Sequence, residues 1–257
     1  MAETDNVYSL GRKIFFLYPS ALVQNQIIAE LAQEEYEAYI TKDEAKLRRA
    51  LKKYPDSIVF ANINDGMKES EWEAWIRAVM GDSQTSGVDI GVVSSVEDAN
   101  LRHKYLQQIK VRCGFTVLKS EISVLMKQMT DILNSVNAKG RRKYIRALTD
   151  KETNITVNLP MNGTFVNGVI RDISTVGFSC SFADDPGIAK NSLFTDIQIR
   201  LQTQLLKAEG IIFGSRKDEN EKIYVILLTQ RTSPDVRTRI RKFIQSLLQS
   251  RMESEFK

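Results

Sequence analysis

The sequence predicts two domains of different class: an α/β domain on a doubly wound parallel sheet, then a small all-β domain closed by a helix. Three observations carry this. In the first half, apolar runs alternate with amphipathic ones five times in about 125 residues. In the second half the period shortens to strand-like segments with polar–apolar alternation. The charge changes at the same place: residues 1–138 hold 16 Lys/Arg against 19 Asp/Glu, and residues 139–257 hold 20 against 13. An anionic partner therefore fits the second half better.

The first half reads strand, helix, five times over. "KIFFLY" (13–18) is a buried strand, and "ALVQNQIIAELAQEE" is the helix after it. "YEAYIT" is a second strand, and "DEAKLRRALKKY" a helix with Asp43 as its cap. "SIVFANI" precedes the helix "ESEWEAWIRAVM", and "VDIGVVSS" precedes "VEDANLRHKYLQQI". "GFTVLK" and "SEISVLMKQMTDILNSV" complete the series. Continuous apolar strands between helices imply a parallel sheet covered on both faces, so a flavodoxin-like five-stranded sheet is expected. Trp72 and Trp75, three apart on the third helix, read as core or interface.

The second half reads as six short strands: "ITVNLP", "GTFVNGVIRDIS", "GFSCSFA", "FTDIQIRLQ", "LLKAEGIIFGS" and "KIYVILLTQ". Phe178, Cys180 and Phe182 share one strand face, with Ser179 and Ser181 opposite. Turn signals "MNG", "DDPG" and "RKDENEK" separate the strands, so a small antiparallel barrel is expected. "SPDVRTRIRKFIQSLLQS" is a closing helix with Ser233 as cap and Pro234 at its first position. Its stripe of Val236, Ile240, Phe243, Ile244 and Leu247 is expected to pack on the barrel. "NAKG" (137–140) marks the boundary between domains 1–137 and 138–257.

Composition narrows the function. The 257 residues, 42% apolar and 26% charged, are ordinary for a globular protein. No apolar run approaches the roughly 20 residues of a membrane span. Glu3, Asp5 and Pro19 argue against reading "KIFFLYPSALV" as a signal peptide, so a cytoplasmic protein is expected. Cys113 and Cys180 each lie in an apolar stretch and read as buried thiols. The single His103 reads as a surface residue of a helix. No metal cluster, nucleophile–base pair or phosphate-binding glycine loop stands out, and Asp184–Asp185 reads as loop solvation; the chain is not expected to be an enzyme.

Residues 12–137 resemble the receiver domain of two-component response regulators. Ser94 ends the fourth strand and Lys119 the fifth, where receivers carry a hydroxyl and a lysine. The first strand, however, ends in "FLYPS" without a carboxylate, and the acceptor position falls on Ala61 or Asn62; Asp65 comes too late. Neither Ala nor Asn can form an acyl phosphate, and the ligands for a charge-neutralising cation are missing. The resemblance implies a degenerate receiver used for interaction or dimerisation. A phosphorelay receiver is the alternative.

Two motifs carry the function. "RRKYIR" spaces Arg142 and Arg146 as R-x-x-x-R, and "RDISTVGFSC" places Asp172, Ser174 and Gly177 as D-x-S-x-x-G. Either is weak alone, but order, gap and placement at the barrel edges make the pair specific. The pair, and "GTFVNGVIRDISTVGFSCSF" in particular, resembles the PilZ domain, the bacterial receptor for cyclic di-GMP, over roughly residues 140–250. One departure is the long spacer "ALTDKETN" before "ITVNLP".

The resemblance implies a PilZ-type barrel with cyclic di-GMP as ligand and no cofactor. Arg142 and Arg146 would fork onto phosphate oxygens or guanine O6/N7, or stack on the base. Asp172 would accept from the guanine N1–H and N2–H edge. Ser174 would donate to a phosphate or cap the turn, and Gly177 would permit a positive φ and close approach of the ligand. Arg141 has two readings, a contact admitting a second stacked ligand or a solvated arginine. Without ligand the like-charged arm "NAKGRRKYIR" would be mobile, and ligand phosphates would order it and change the surface offered to a downstream protein. A basic nucleic-acid-binding barrel is the competing reading. Its expected aromatic platform is missing, since Phe178 and Phe182 read as core-facing.

Overall fold

The computed structural model describes residues 11–119, 121–149, 154–218 and 221–257. They form two compact units, Met1–Lys143 with Gln249–Lys257, and Tyr144–Leu248.

The first unit holds five strands, β1 (Ile14–Leu17), β2 (Ala38–Thr41), β3 (Ile58–Asn62), β4 (Asp89–Ser94) and β5 (Phe115–Val117). All pairings are parallel, in the order β2-β1-β3-β4-β5, the doubly wound arrangement the pattern predicts. β1, β3 and β4 are buried at every residue, which is why they read as unbroken apolar runs. A π-helical stretch (Val23–Ile27) runs into α1 (Ile28–Gln33), followed in turn by α2 (Glu44–Lys53), α3 (Glu69–Gly81), α4 (Ala99–His103) with a second π-helical stretch (Lys104–Ile109), and α5 (Ile122–Ser135). Asp43 caps α2 by accepting the Lys46 N–H at 2.7 Å. Trp72 is fully buried, its ring 6.1 Å from the half-buried Trp75. His103 is exposed and Cys113 buried, as expected.

Arg12 closes the N-terminal edge of this sheet. Its guanidinium donates to Asp89 Oδ2 at 2.6 Å, Val136 O at 2.8 Å and Ser57 O at 3.2 Å. The other Asp89 oxygen stands 2.8 Å from Arg112 Nη1, out of hydrogen-bond alignment. A buried carboxylate needs this pairing, because an unpaired one carries the full desolvation cost.

The second unit is a closed antiparallel ring of six strands: β7 (Ile155–Met161), β8 (Thr164–Ser174), β9 (Gly177–Phe182), β10 (Leu193–Leu201), β11 (Gln204–Asp218) and β12 (Glu221–Leu228). The order runs β8-β7-β10-β11-β12-β9, and β9 returns to β8. Closure removes the free edges that a six-stranded open sheet would expose. Bulges at Ile170/Asp172, Phe194/Ile197 and Ile212/Gly214 give the strands the bend that closure needs. A seventh short strand, β6 (Arg146–Leu148), pairs antiparallel to β8 with Arg146 opposite Ser174. It falls partly on the long spacer "ALTDKETN", where the sequence pattern predicts no strand. Only Ala147 of β6 is buried, too little apolar pattern to announce a strand. Spacer residues 150–153 lie outside the described residues.

Phe178 and Cys180 face the core, as the alternation predicts. Ser179 and Ser181 on the other face are also buried, by hydrogen bonds to Asp172 and Arg171. The helix α6 (Pro234–Glu255) begins with Ser233 Oγ accepting the Val236 N–H at 3.3 Å. Its Val236, Ile240 and Ile244 complete the barrel core, with Phe243 and Leu247 packed alongside.

Past Leu248 the chain belongs to the first unit. The Gln249 carboxamide accepts the Ile40 N–H at 3.0 Å and donates to the Ile40 carbonyl at 2.8 Å. It thereby supplies the missing neighbour to β2, an edge strand with unpaired backbone groups. Lys46 and Arg49 of α2 donate to the carbonyls of Glu253 and Phe256, at 2.7 and 2.8 Å, and the Phe256 ring packs edge-on against Tyr54. Cations at a helix C-terminus are favourable there because the last carbonyls lack partners.

Candidate functional site

Asp172, Ser174 and Gly177 sit on one hairpin. Ser174 pairs with Gly177, so Thr175 and Val176 alone make the turn between β8 and β9. The Ser174 hydroxyl is buried and donates to the Gly177 carbonyl at 2.9 Å. Of the two expectations for Ser174, the hydrogen bond drawn is the one across the turn. Gly177 does not take the positive φ expected of it. It is needed because a Cβ there would lie 2.3 Å from the Ile226 carbonyl oxygen of β12, the strand that packs beside it. The turn is held from outside by Arg237 of α6, which donates to the Thr175 and Thr229 carbonyls, both at 2.7 Å. Nothing in the helical pattern distinguishes Arg237 from the four other cations of α6, Arg239, Arg241, Lys242 and Arg251.

Arg146 and Asp172 meet by register. Leu148 stands opposite Asp172 and Arg146 opposite Ser174, so Arg146 and Asp172 are diagonal neighbours across β6 and β8. Arg146 Nη1 lies 3.6 Å from Asp172 Oδ1; the arginine side chain is 49% exposed and the carboxylate 15%. So long and open a pair contributes about 0–1 kcal/mol, and its guanidinium can turn to another anion at little cost. The second Asp172 oxygen accepts from the Ser179 hydroxyl, which fixes the carboxylate's orientation. Ser179 is the site residue that sequence reasoning missed. The strand alternation placed it on the right face, but only the β8–β9 register puts it opposite Asp172.

The structure thus brings Arg146, Asp172, Ser174 and Gly177 together on the barrel. Arg141 and Arg142 are exposed, in the irregular chain that ends the other unit and leads into β6. The arm expected to be mobile from Asn137 onward is anchored as far as Ala138. Asn137 takes a left-handed φ of 51°, the Ala138 N–H donates to Leu133 O at 2.9 Å, and Ala138 O accepts from the Arg12 N–H at 2.8 Å. The Lys139 ammonium stands 4.6 Å from the centre of the Tyr36 ring.

At the C-terminal end of the parallel sheet, Asn62 is the last residue of β3, and its amide donates to Tyr18 O at 2.8 Å. The Tyr18 ring covers Gly66, where a Cβ would come within 2.5 Å of it, and meets Trp72 edge-on. The Tyr18 phenol donates to Glu44 at 2.8 Å, and burial pushes its pKa up to about 12. Ser94 ends β4, its hydroxyl donating to Val96 O at 2.8 Å. Lys119 lies two residues past β5 and is exposed. Among the described residues no group of acidic, His or Cys side chains is placed to hold a metal ion.

On the barrel, Phe178 is buried and Phe182 half-buried, while two further aromatics, Phe165 and Phe213, are exposed. They stand on β8 and β11, with β7 and β10 between them, so they form no continuous stacking surface. Among the described residues no helix is long and apolar enough to cross a membrane.

No family model matches the chain, and no curated protein matches it. Solved structures do. YcgR from Escherichia coli in complex with c-di-GMP is 15% identical with a TM-score of 0.40, over 45% of this chain and 50% of that one. The K. pneumonia MrkH–c-di-GMP complex is 16% identical with a TM-score of 0.41, over 46% and 57%. A response regulator from Thermotoga maritima is 16% identical with a TM-score of 0.39, over 49% and 99%. The chain spans about half the length of the first two. Each likeness covers less than half of the chain, which is similar in structure to the PilZ domain of YcgR and to MrkH, both solved with c-di-GMP, and to response regulators.

Proposed function

We propose that the chain is a non-catalytic receptor for cyclic di-GMP, the ligand of the YcgR and MrkH structures, and passes binding on to a partner protein. The observation that carries this reading is the loose Arg146–Asp172 pair, held on the barrel by the pairing of β6 with β8. It offers a half-exposed guanidinium for phosphate or guanine beside a carboxylate able to accept from the guanine N–H edge. Arg142, four residues up the chain, supplies the second fork, and Arg141 a further cation for a second ligand copy. Ser174 and Gly177 support the site by building the hairpin. Binding would order the arm around Arg141 and Arg142 and alter the surface presented to the partner, with the receiver-like unit as the docking module.

Calorimetric titration with cyclic di-GMP tests the reading. Binding is expected in the micromolar range or tighter, with Arg142→Ala and Arg146→Ala each losing about 1.5–3 kcal/mol as a charge-assisted hydrogen bond is removed. Absence of heat and of a thermal shift at tens of micromolar ligand would end it. Full affinity retained in both variants would remove the arginine assignment.

A further inference from the structure

The barrel carries a cavity that the hairpin site does not use. It measures about 430 Å³ and opens where β9 and β11 end and β12 begins. From Gly177 to Phe182 is five residues, so it lies about 17 Å along β9 from the hairpin. The volume falls within the range of roughly 300–1,000 Å³ typical of small-molecule sites, and barrel mouths are frequent places for them.

Its charges are arranged at a cost. Lys217 and Lys222 stand directly opposite each other on β11 and β12, a like-charge pair that destabilises a sheet. Lys222 is answered by Asp185 at 3.0 Å. Glu221, the other acid in the lining, is engaged by Arg171. Lys217 and its neighbour Arg216 are exposed and have no acidic partner among the described residues. The wall is rigid. The Tyr224 phenol, the Gly187 N–H at 3.0 Å and the Lys222 ammonium all donate to Asp185, holding the 183–187 loop against β12. The half-buried Phe182 ring, set edge-on at 5.7 Å against the fully buried Tyr224 ring, gives the cavity an aromatic side.

We propose that this barrel mouth is a second ligand site, for a phosphate monoester carried on a flat apolar group. Lys217 and Arg216 take the phosphate dianion, which relieves the Lys217–Lys222 repulsion, and the half-buried Phe182 ring takes the flat group. This does not depend on the hairpin site.

Calorimetry on the full chain with adenosine 5′-monophosphate, adenosine and inorganic phosphate tests it. The monophosphate is expected to bind one per chain, and adenosine or phosphate alone at least tenfold more weakly. Lys217→Ala and Arg216→Ala are each expected to weaken the monophosphate at least tenfold, while Arg146→Ala leaves it unchanged. No binding of any probe at millimolar concentration would overturn the proposal. So would monophosphate affinity undiminished in both Lys217→Ala and Arg216→Ala, or equal affinity for adenosine. Loss of binding in Arg146→Ala would assign it to the hairpin site and overturn it as well.

Discussion

Single residues in the D-x-S-x-x-G motif divide between the proposed ligand contact and construction of the hairpin. Asp172 keeps one oxygen toward Arg146, and Ser179 fixes the other. Ser174 and Gly177 build the turn that holds it. Gly177→Ala is therefore expected to destabilise the barrel by about 1–3 kcal/mol, since neither β9 nor β12 can give way to a Cβ 2.3 Å from the Ile226 carbonyl. Ser174→Ala is expected to cost about 1 kcal/mol through loss of its bond to Gly177 O. Urea midpoints of the two variants check both. A Ser174→Ala protein of unchanged stability but lost ligand affinity would reassign the hydroxyl to the ligand. Gly177 also shows where reading by residue type stops. A glycine after a turn reads as a φ requirement, but the reason for this one is a strand far away in sequence.

Among the elements, α6 and the 183–187 loop each tie the barrel at one end. Arg237→Met keeps the apolar stem and removes the fork on the Thr175 and Thr229 carbonyls. It is expected to lower barrel stability by about 1.5–3 kcal/mol, read as a shift in thermal or urea midpoint, and unchanged stability would show that the hairpin holds without it. At the other end Asp185 is held down to a pKa of about 2, first by the Tyr224 phenol and then by the Gly187 N–H and Lys222. Its ordinary value is 3.8, so the unfolded chain takes up the proton first as pH falls. The contribution of this group is complete above about pH 4 and is lost as pH drops toward 2. Asp185→Asn is expected to flatten stability over that window and leave the neutral-pH slope alone; an unchanged acid slope would remove Asp185 from the balance.

At the scale of the whole molecule, each unit contains one cysteine. Cys113 lies in the parallel sheet unit and Cys180 in the barrel, both buried, and burial pushes each thiol up to about 12. Neither should react with a thiol reagent at pH 8 in the native protein, because the thiolate is the nucleophile. Labelling at stepwise urea concentrations followed by peptide mapping is expected to release the two thiols as their units open, so each reports its own unit. Labelling of either in the native protein would contradict its burial. The five strand–helix repeats, the six barrel strands, the Asp43 and Ser233 caps and the apolar stripe of α6 were all legible in the sequence. Each follows from local periodicity or from the chemistry of a few consecutive residues. The pairing of Arg146 with Asp172, the partner role of Ser179, the docking of residues 249–257 on β2 and α2, and the Lys217–Lys222 confrontation were not legible. Each depends on strand register or on contacts between residues far apart in the chain, and no periodicity within one segment records which residue of another will stand opposite it.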